Sequence, residues 1–111
     1  MSIAVPLDEL AAALEAFPWG YLVTVGDDSR ARFHAAPTRF EDGALVIDGG
    51  RSSRTNATAR PQVTLVFPPV EPHGMSLIVD GEATVDDDAV RVRPTWAVLH
   101  RAAIPTPGDP G

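Results

Sequence analysis

The sequence predicts a mainly β protein with minor helices, folded as a small, closed or nearly closed antiparallel barrel of six strands. Six short segments are rich in β-branched and aromatic residues, and turn residues such as Gly, Asp and Pro separate most of them. Only one leading stretch and one connecting stretch have helical character. Short strands joined by hairpin turns are typical of small barrels.

The first helical stretch is predicted over residues 7–17. Its apolar residues recur at steps of three and four, which places them on one helix face: Leu7, Leu10, Ala11, Leu14 and Phe17. Pro6 fits the first turn, and Pro18 ends the helix. We expect this helix to cover one end of the sheet.

The first two strands are predicted over residues 21–25 and 30–40. Alternation divides the second strand into a face with Arg32, His34, Ala36 and Thr38 and a face with Ala31, Phe33, Ala35 and Pro37. The first face is polar with a small residue in its middle, so a flat ligand could approach the backbone there. Because Pro37 cannot donate a ladder hydrogen bond, it indicates a strand edge or an irregularity.

The four later strands are predicted over residues 44–48, 62–67, 75–85 and 89–93. A loop and short helix over residues 49–60 connect the third strand to the fourth, with Ser52 or Ser53 as the expected N-cap. Gly81 can form a bulge in the fifth strand. Residues 94–101 are a short amphipathic piece, helical or extended.

The predicted barrel domain covers residues 1–103. Residues 104–111 hold three prolines and two glycines, and we expect them to form a flexible tail.

The composition excludes several classes of chemistry. The chain has no cysteine, which rules out disulfides, cysteine metal sites and thiol nucleophiles. All nine basic residues are arginine, so neither a pyridoxal phosphate Schiff base nor a Walker phosphate loop can form. Three scattered histidines without a close carboxylate pair do not predict a metal site.

The net charge of −6 counts against nucleic acid or an acidic membrane surface as a partner. No segment has the roughly 18 consecutive apolar residues of a membrane span. The N-terminus lacks a basic region followed by an apolar run, as a secretory signal would have. We therefore expect a cytoplasmic protein with a small-molecule substrate.

Positive charge is concentrated in residues 30–61. This segment holds six of the nine arginines and three of the fifteen acids, a net charge of +3, whereas the rest of the chain carries −9. Such a segment in an acidic protein suits a small anion. Its residues 49–54 lie between a predicted strand and a predicted helix start, where backbone N–H groups and the helix dipole can hold a phosphate. We expect the segment to bind the phosphate and ring of a flavin-type cofactor.

The order of these segments resembles the pyridoxamine 5′-phosphate oxidase-like family of FMN-binding split barrels. The matching features are a leading helix, YLVTVGDDSRARFHAAPTRF, the turn EDG, the strand ALVID, the segment SSRTNATARP, and QVTLVF followed by SLIVDGEATV. The resemblance covers residues 7–101 and depends on this order, since no single motif is diagnostic. It implies a split barrel that forms a homodimer, with two flavin mononucleotide (FMN) sites at the subunit interface.

The resemblance also implies which residues contact the cofactor. The ring would lie along the second strand and the end of the third, and the phosphate would lie at the serine/arginine segment, where Arg54 replaces a lysine common in the family. Trp96 would stack on the partner subunit's cofactor or fill the interface. The implied cofactor-binding residues are Arg32, His34, Ala35, Ala36, Pro37, Thr38, Ile47, Asp48, Gly49, Ser52, Ser53, Arg54 and Trp96.

The implied function is that of an oxidoreductase that transfers hydride or electrons between the flavin and a small substrate. One alternative is a protein that binds FMN or the deazaflavin F420 without turnover, as a carrier or sensor, and another is a dimer that has lost the site. Pyridoxamine phosphate oxidases themselves carry a longer C-terminal region that recognises the vitamin substrate. The present sequence stops soon after PTWAVLHR, so that specific activity is not expected.

Overall fold

The computed structural model describes residues 1–103 of the 111-residue chain, and the predicted tail at 104–111 lies outside the described residues. Within residues 1–103, seven strands and two α-helices follow one another. Their bounds are β1 (Ser2–Ala4), a 3₁₀ turn (Leu7–Glu9), α1 (Leu10–Ala13), a second 3₁₀ turn (Leu14–Ala16), β2 (Trp19–Val25), β3 (Ala31–Glu41), β4 (Ala44–Asp48), α2 (Arg51–Ala59), β5 (Gln62–Phe67), β6 (Ser76–Asp86) and β7 (Ala89–His100).

Six of the strands close into an antiparallel barrel. Their order is β7-β4-β3-β2-β5-β6, and the pairing of β6 with β7 completes the ring. This confirms the predicted six-stranded barrel. β1 was not predicted, and it extends the sheet by pairing with the end of β7, where Ser2 lies opposite His100.

In β2, β5 and β6, alternate residues fill the barrel. In β5, Val63, Leu65 and Phe67 are buried, while Thr64 and Val66 between them lie on the outer wall. α1 contributes Leu10 and α2 contributes Ala57 to the same core. The leading helix is shorter than predicted, because residues 7–9 and 14–16 form 3₁₀ turns on either side of a single α-helical turn.

The long hairpin of β6 and β7 contains the predicted bulge. The strand register shifts between Asp80 and Gly81. A Cβ atom at Gly81 would lie 2.5 Å from the Arg93 carbonyl oxygen, so only glycine fits. Pro94 pairs with Gly81 at this point, where the ladder is already interrupted. β7 is therefore one continuous strand, and the proline does not divide it as the sequence suggested.

β3 changes its neighbour halfway along. Residues 31–37 pair with β2, and residues 38–41 pair with β4 on the opposite edge. Over the described chain, no strand covers the β4-side edge of residues 31–37. Pro37 lies at the change of partner, in agreement with its predicted place at an edge or irregularity. The barrel is thereby left open beside the first half of β3.

α2 lies beside this opening and is fixed to the barrel by one buried and two exposed polar contacts. Asn56 Nδ2 donates a hydrogen bond of 3.2 Å to Thr24 Oγ1, and Thr24 is fully buried. Arg60 Nε donates to the Val25 carbonyl oxygen at 2.6 Å, and its guanidinium contacts Asp27 at 2.8 Å. One contact therefore joins α2 to β2, and the Arg60 contacts join the end of the helix to the β2–β3 turn.

The predicted N-cap of this helix is wrong. Gly50 is the N-cap, with φ −68° and ψ 171°, and Arg54 N–H donates to its carbonyl oxygen at 3.0 Å. Neither Ser52 nor Ser53 can cap the helix because both already lie inside it. Ser53 is instead buried against the barrel.

Replacing Leu65 by alanine tests the core. Leu65 has no exposed surface, so Leu65→Ala should lower the free energy of unfolding by about 2–5 kcal/mol through lost burial and a residual cavity. Urea denaturation followed by circular dichroism measures the change. Val70 is 90% exposed, and Val70→Ala is the control, with an effect within about 0.5 kcal/mol. Equal effects for the two variants would contradict the burial pattern.

Replacing Asn56 by alanine tests the attachment of α2. The change leaves the buried Thr24 hydroxyl without its partner, and should lower the free energy of unfolding by about 1–3 kcal/mol. Thr58→Ala, on an exposed position of the same helix, should change it by no more than about 0.5 kcal/mol. Thermal and urea unfolding of the two variants provide the comparison.

Candidate functional site

The barrel opening is bounded by three elements: the first half of β3, the end of β4 and the start of α2. His34 connects them, because its Nε2 atom lies 2.9 Å from the Asp48 carbonyl oxygen. A Cβ atom at Gly50 would lie 3.6 Å from Cε1 and Nδ1 of His34. The connection from β4 to α2 is only Gly49 and Gly50, so the helix must start at the opening.

A cavity of about 410 Å³ lies between the β2–β3 turn and α2. Its walls carry donors and acceptors and few apolar side chains. The lining residues are Gly26, Asp27, Asp28, Arg32, Arg51, Ser52, Thr55 and Asn56. Arg54 N–H, which bonds to the Gly50 carbonyl oxygen, is the first backbone donor with a partner in the helix. The N–H groups of residues 51–53 therefore have no α-helical hydrogen-bond partner. The arrangement can accept an anion with hydrogen-bonding groups attached.

The arginines of the basic segment have different environments. Four of the six contact an acid: Arg32 with Asp28 at 2.7 Å, Arg39 with Glu41 at 2.8 Å, Arg54 with Asp88 at 3.8 Å and Arg60 with Asp27 at 2.8 Å. Within residues 1–103, Arg30 and Arg51 are in no such ion pair. The hydrogen bond from Arg39 lowers the pKa of the exposed Glu41 carboxyl. Arg32 and Arg51 are the two arginines that line the cavity.

The structure divides the predicted residues of β3 between two faces. Arg32, His34, Ala36 and Thr38 lie on the inward face, whereas the side chains of Ala35 and Pro37 are exposed on the outer wall. Thr38 N–H donates to the Pro18 carbonyl oxygen on the β2 side. By alternation, the backbone N–H and C=O of Ala35 point to the open edge.

The predicted residues after β3 are dispersed. Ile47 is fully buried in the core, and Ser53 is also buried. Ser52 lines the cavity, while Arg54 donates from Nη1 to the Gly49 carbonyl oxygen and so turns away from it. Trp96 lies on the outer wall of β7, opposite Asp80.

The His34 ring has one free nitrogen. A carbonyl oxygen can only accept, so Nε2 carries the proton that it shares with Asp48, and Nδ1 is the acceptor in the neutral ring. Among the described residues, Nδ1 of His34 has no hydrogen-bond partner. This nitrogen is therefore a free hydrogen-bond acceptor beside the inward face of β3.

One buried hydroxyl on the same face is unsatisfied. Thr38 Oγ1 has no hydrogen-bond partner within the part of the chain that the structure describes. A buried polar atom without a partner costs about 1–3 kcal/mol, which a ligand with a donor or acceptor would recover. The residues present therefore fit a polar, flat group along His34, Ala36 and Thr38.

Six lining residues escaped sequence reasoning: Gly26, Asp27, Asp28, Arg51, Thr55 and Asn56. Helical spacing offered a signal for three of them, since positions 51, 52, 55 and 56 recur on one side of a helix once its start is placed correctly. Asp28 gave a weaker signal. It is an acid in a turn, four residues before Arg32, and only the folded hairpin brings the two side chains together.

The outer wall of β2 and of the first half of β3 carries exposed aromatic residues. Trp19, Tyr21 and Phe33 pack edge to face, with centroid distances of 5.3 and 6.0 Å. Phe33 is 63% exposed and Trp96 49%. Exposed aromatic surface of this extent is typical of a contact surface.

Among the residues that the structure describes, no helix combines the length and the apolar character needed to cross a membrane.

No protein-family model matches the sequence. Two curated relatives do. The uncharacterized protein Mb0449c of Mycobacterium bovis and the uncharacterized protein MT0457 of Mycobacterium tuberculosis are each 42% identical to the chain over 119 residues, which covers 91% of this chain and 83% of each relative.

Solved structures share the fold at lower identity. A candidate pyridoxamine 5′-phosphate oxidase from Listeria innocua superposes with a TM-score of 0.70 at 15% identity, covering 84% of this chain and 96% of its own. An F420 reductase superposes with a TM-score of 0.65 at 21% identity, covering 84% of this chain and 98% of its own. The FAD-binding protein of Mycobacterium smegmatis superposes with a TM-score of 0.62 at 22% identity, covering 91% of this chain and 100% of its own. The chain therefore belongs to the same family as the two mycobacterial proteins, and its fold is the split barrel of the pyridoxamine 5′-phosphate oxidase-like proteins.

Proposed function

We propose that the protein binds a flavin-type cofactor at the barrel opening and acts as an oxidoreductase on a small substrate. The observation that carries the proposal is the convergence of Arg32, Arg51 and the first turn of α2 on one cavity, at the end of an uncovered stretch of β3. The names of the structural neighbours, an F420 reductase and an FAD-binding protein, support a cofactor of this class. The sequence itself suggests FMN, with F420 as the alternative.

The cavity suits the phosphate end of the cofactor. A guanidinium meets phosphate oxygens with two parallel donors, and helix N-terminal N–H groups add further donors and a favourable dipole. The Ser52 and Thr55 side chains line the same space. Arg32 is half exposed in its ion pair with Asp28, so its guanidinium can reach a second anion without losing buried contacts.

The inward face of β3 suits the ring. From Arg32 to Thr38 the strand extends about 20 Å, at roughly 3.3 Å per residue. Along this path, Ala36 leaves room for a flat group, Nδ1 of His34 is a free acceptor, and Thr38 offers its unsatisfied hydroxyl. A flavin supplies the redox chemistry itself, while the protein binds it, orients it and excludes water.

We further propose that two copies associate through the outer wall, with Trp96 in the contact. The exposed aromatic residues of β2 and β3 form one apolar surface, and Trp96 lies on the outer wall of β7. Trp96 lies on the outer wall and cannot meet the opening of its own subunit, so it could approach a cofactor only in an assembly. This supports the homodimer that the sequence implies.

Cofactor binding is tested with two arginine variants. The purified protein should take up a flavin or deazaflavin, seen for a flavin as absorbance near roughly 450 nm. Arg32→Gln and Arg51→Gln should each weaken binding by about 1.5–3 kcal/mol, the usual loss for a charged hydrogen bond. Arg39→Gln is the matched control, since Arg39 is on the same strand and also contacts an acid, Glu41, but does not line the cavity. Isothermal titration measures the affinities.

A protein that takes up neither flavins nor F420 would contradict the proposal, and so would equal losses of affinity for all three variants.

Catalytic turnover is tested separately from binding. Reduction of the bound cofactor by a nicotinamide donor and its reoxidation by a substrate would distinguish an oxidoreductase from a carrier.

The dimer is tested by placing a charge on the outer wall. Phe33→Asp should weaken self-association by at least about 2 kcal/mol, because an unpaired carboxylate is costly to bury. Sedimentation velocity should then show the variant at the 11.8 kDa monomer mass and the wild type at twice that mass. Val70→Asp, on an exposed loop position, should remain dimeric. A monomeric wild type would exclude this assembly.

A further inference from the structure

A second cavity lies on the outer wall of the barrel, where β4, β6 and β7 run side by side. Its volume is about 330 Å³, and it shares no lining residue with the cavity beside α2. Two arginines face one glutamate in it, so the lining carries a net charge of +1 in a chain whose net charge is −6. A local positive excess of this kind attracts small anions. The lining residues are Ala44, Glu82, Thr84, Arg91 and Arg93.

Strand alternation directs the polar lining side chains outward. Buried valines of the core alternate with Arg91 and Arg93 along β7, so both arginines project from the outer face of the strand. On β6, Thr84 lies directly opposite Arg91, and Glu82 lies opposite Arg93. Four polar side chains from two adjacent strands therefore surround one space.

Arg91 is anchored at its base. Val46 of β4 is only 2% exposed although it does not belong to the core cluster, and the strand register places it on the outer wall beside Arg91. The aliphatic part of the arginine can cover this valine while the guanidinium stays at the surface. A side chain held in this way loses less conformational entropy when a ligand binds.

The Arg91 guanidinium has donors to spare. Within residues 1–103 it is in no ion pair, and its hydrogen bond from Nη2 to the Glu41 carbonyl oxygen is long, at 3.4 Å. The Glu41 carboxylate contacts Arg39 at 2.8 Å instead. Because a guanidinium carries five N–H donors, most of those on Arg91 are available to a ligand.

Arg93 and Thr84 complete the set of donors. Arg93 Nη2 contacts Glu82 Oε2 at 3.3 Å, and the two side chains are 70% and 53% exposed. An ion pair this exposed contributes little, so Arg93 can exchange Glu82 for a ligand at low cost. A phosphate monoester presents three terminal oxygens, one for each of the three donor side chains, whereas a carboxylate presents two.

We propose that this cavity is a second binding site, which takes a terminal phosphate group, free or attached to a small molecule, on Arg91, Arg93 and the Thr84 hydroxyl. The proposal is independent of the proposed cofactor function, because the two cavities have no residue in common. The 330 Å³ volume is about ten times the roughly 30 Å³ that one water molecule occupies in the liquid. A small organic group attached to the phosphate therefore also fits.

Amide chemical shifts test the site because they report on each cavity separately. When the full ¹⁵N-labelled chain is titrated with inorganic phosphate at pH 7.5, the amides of Thr84, Arg91 and Arg93 should shift and saturate. Arg91→Gln should weaken this binding about tenfold or more, through loss of a charged hydrogen bond, and Thr84→Val about threefold, through loss of a neutral one. Acetate has one charge and two oxygens, and should bind about fivefold more weakly than phosphate.

Glu82→Gln gives a result that misfolding cannot mimic. The change removes the only acid from the lining and releases Arg93, so phosphate should bind about threefold more tightly. Arg30→Gln is the matched control, since Arg30 is in no ion pair within residues 1–103 and lines neither cavity. It should leave the phosphate affinity unchanged. Sodium chloride at equal ionic strength should not reproduce the shifts.

Shifts that do not saturate, or that sodium chloride reproduces, would overturn the inference, and so would an unchanged affinity in folded Arg91→Gln. Phosphate binding confined to the amides of Arg32 and Arg51 would refute the second site and leave the proposed cofactor function standing. Glycerol phosphate distinguishes the two sources of the phosphate. Tighter binding than that of inorganic phosphate assigns the site to an ester, and equal or weaker binding assigns it to the phosphate group alone.

Discussion

The change of partner within β3 is the constraint on which the rest of the structure depends. A strand in a closed barrel ordinarily has a neighbour along each edge. In β3, pairing with β2 ends at Pro37 and pairing with β4 begins at Thr38. The inward face beside the first half of the strand is consequently reachable from outside, whereas the rest of the barrel interior is filled by side chains such as Leu22 and Leu65. An open inward face is what a small barrel needs in order to hold a ligand.

The position of α2 follows from this opening. Two glycines connect it to β4, so its first turn must lie at the gap. The buried contact of Asn56 with Thr24 and the contacts of Arg60 with the β2–β3 turn then hold the helix and the turn in one arrangement. The walls of the cavity are thus set by the fold before any ligand arrives, which reduces the entropy cost of binding.

The barrel was predictable from the sequence because alternation is a local signal, and five of the six barrel strands were placed to within two residues. The sequence could not reveal β1, because its three residues are exposed and lack a pattern. Pro94 suggested an end to β7, but the bulge at Gly81 on the neighbouring strand accommodates it. The local preference of Pro94 to end a strand was therefore overridden by its pairing with Gly81, which is distant in the sequence.

The candidate site was less predictable than the fold. The concentration of arginine in residues 30–61 pointed to the part of the chain that contributes five of the eight cavity-lining residues, among them Arg32 and Ser52. Sequence could not tell which arginines would be neutralised by acids elsewhere, as Arg54 is by Asp88 and Arg60 by Asp27. Charge counting along a chain measures composition, whereas a binding site depends on where the folded chain places each charge and on which acids lie beside it.

Pro37 has a further consequence for the behaviour of the folded chain. An uncovered strand edge is a template on which foreign strands can add, as in amyloid growth. Because Thr38 N–H points to the β2 side, the backbone nitrogen of residue 37 points to the open edge, and proline has no hydrogen there to offer. The row of donors is broken at that position, so this uncovered edge is a poor starting point for fibril growth.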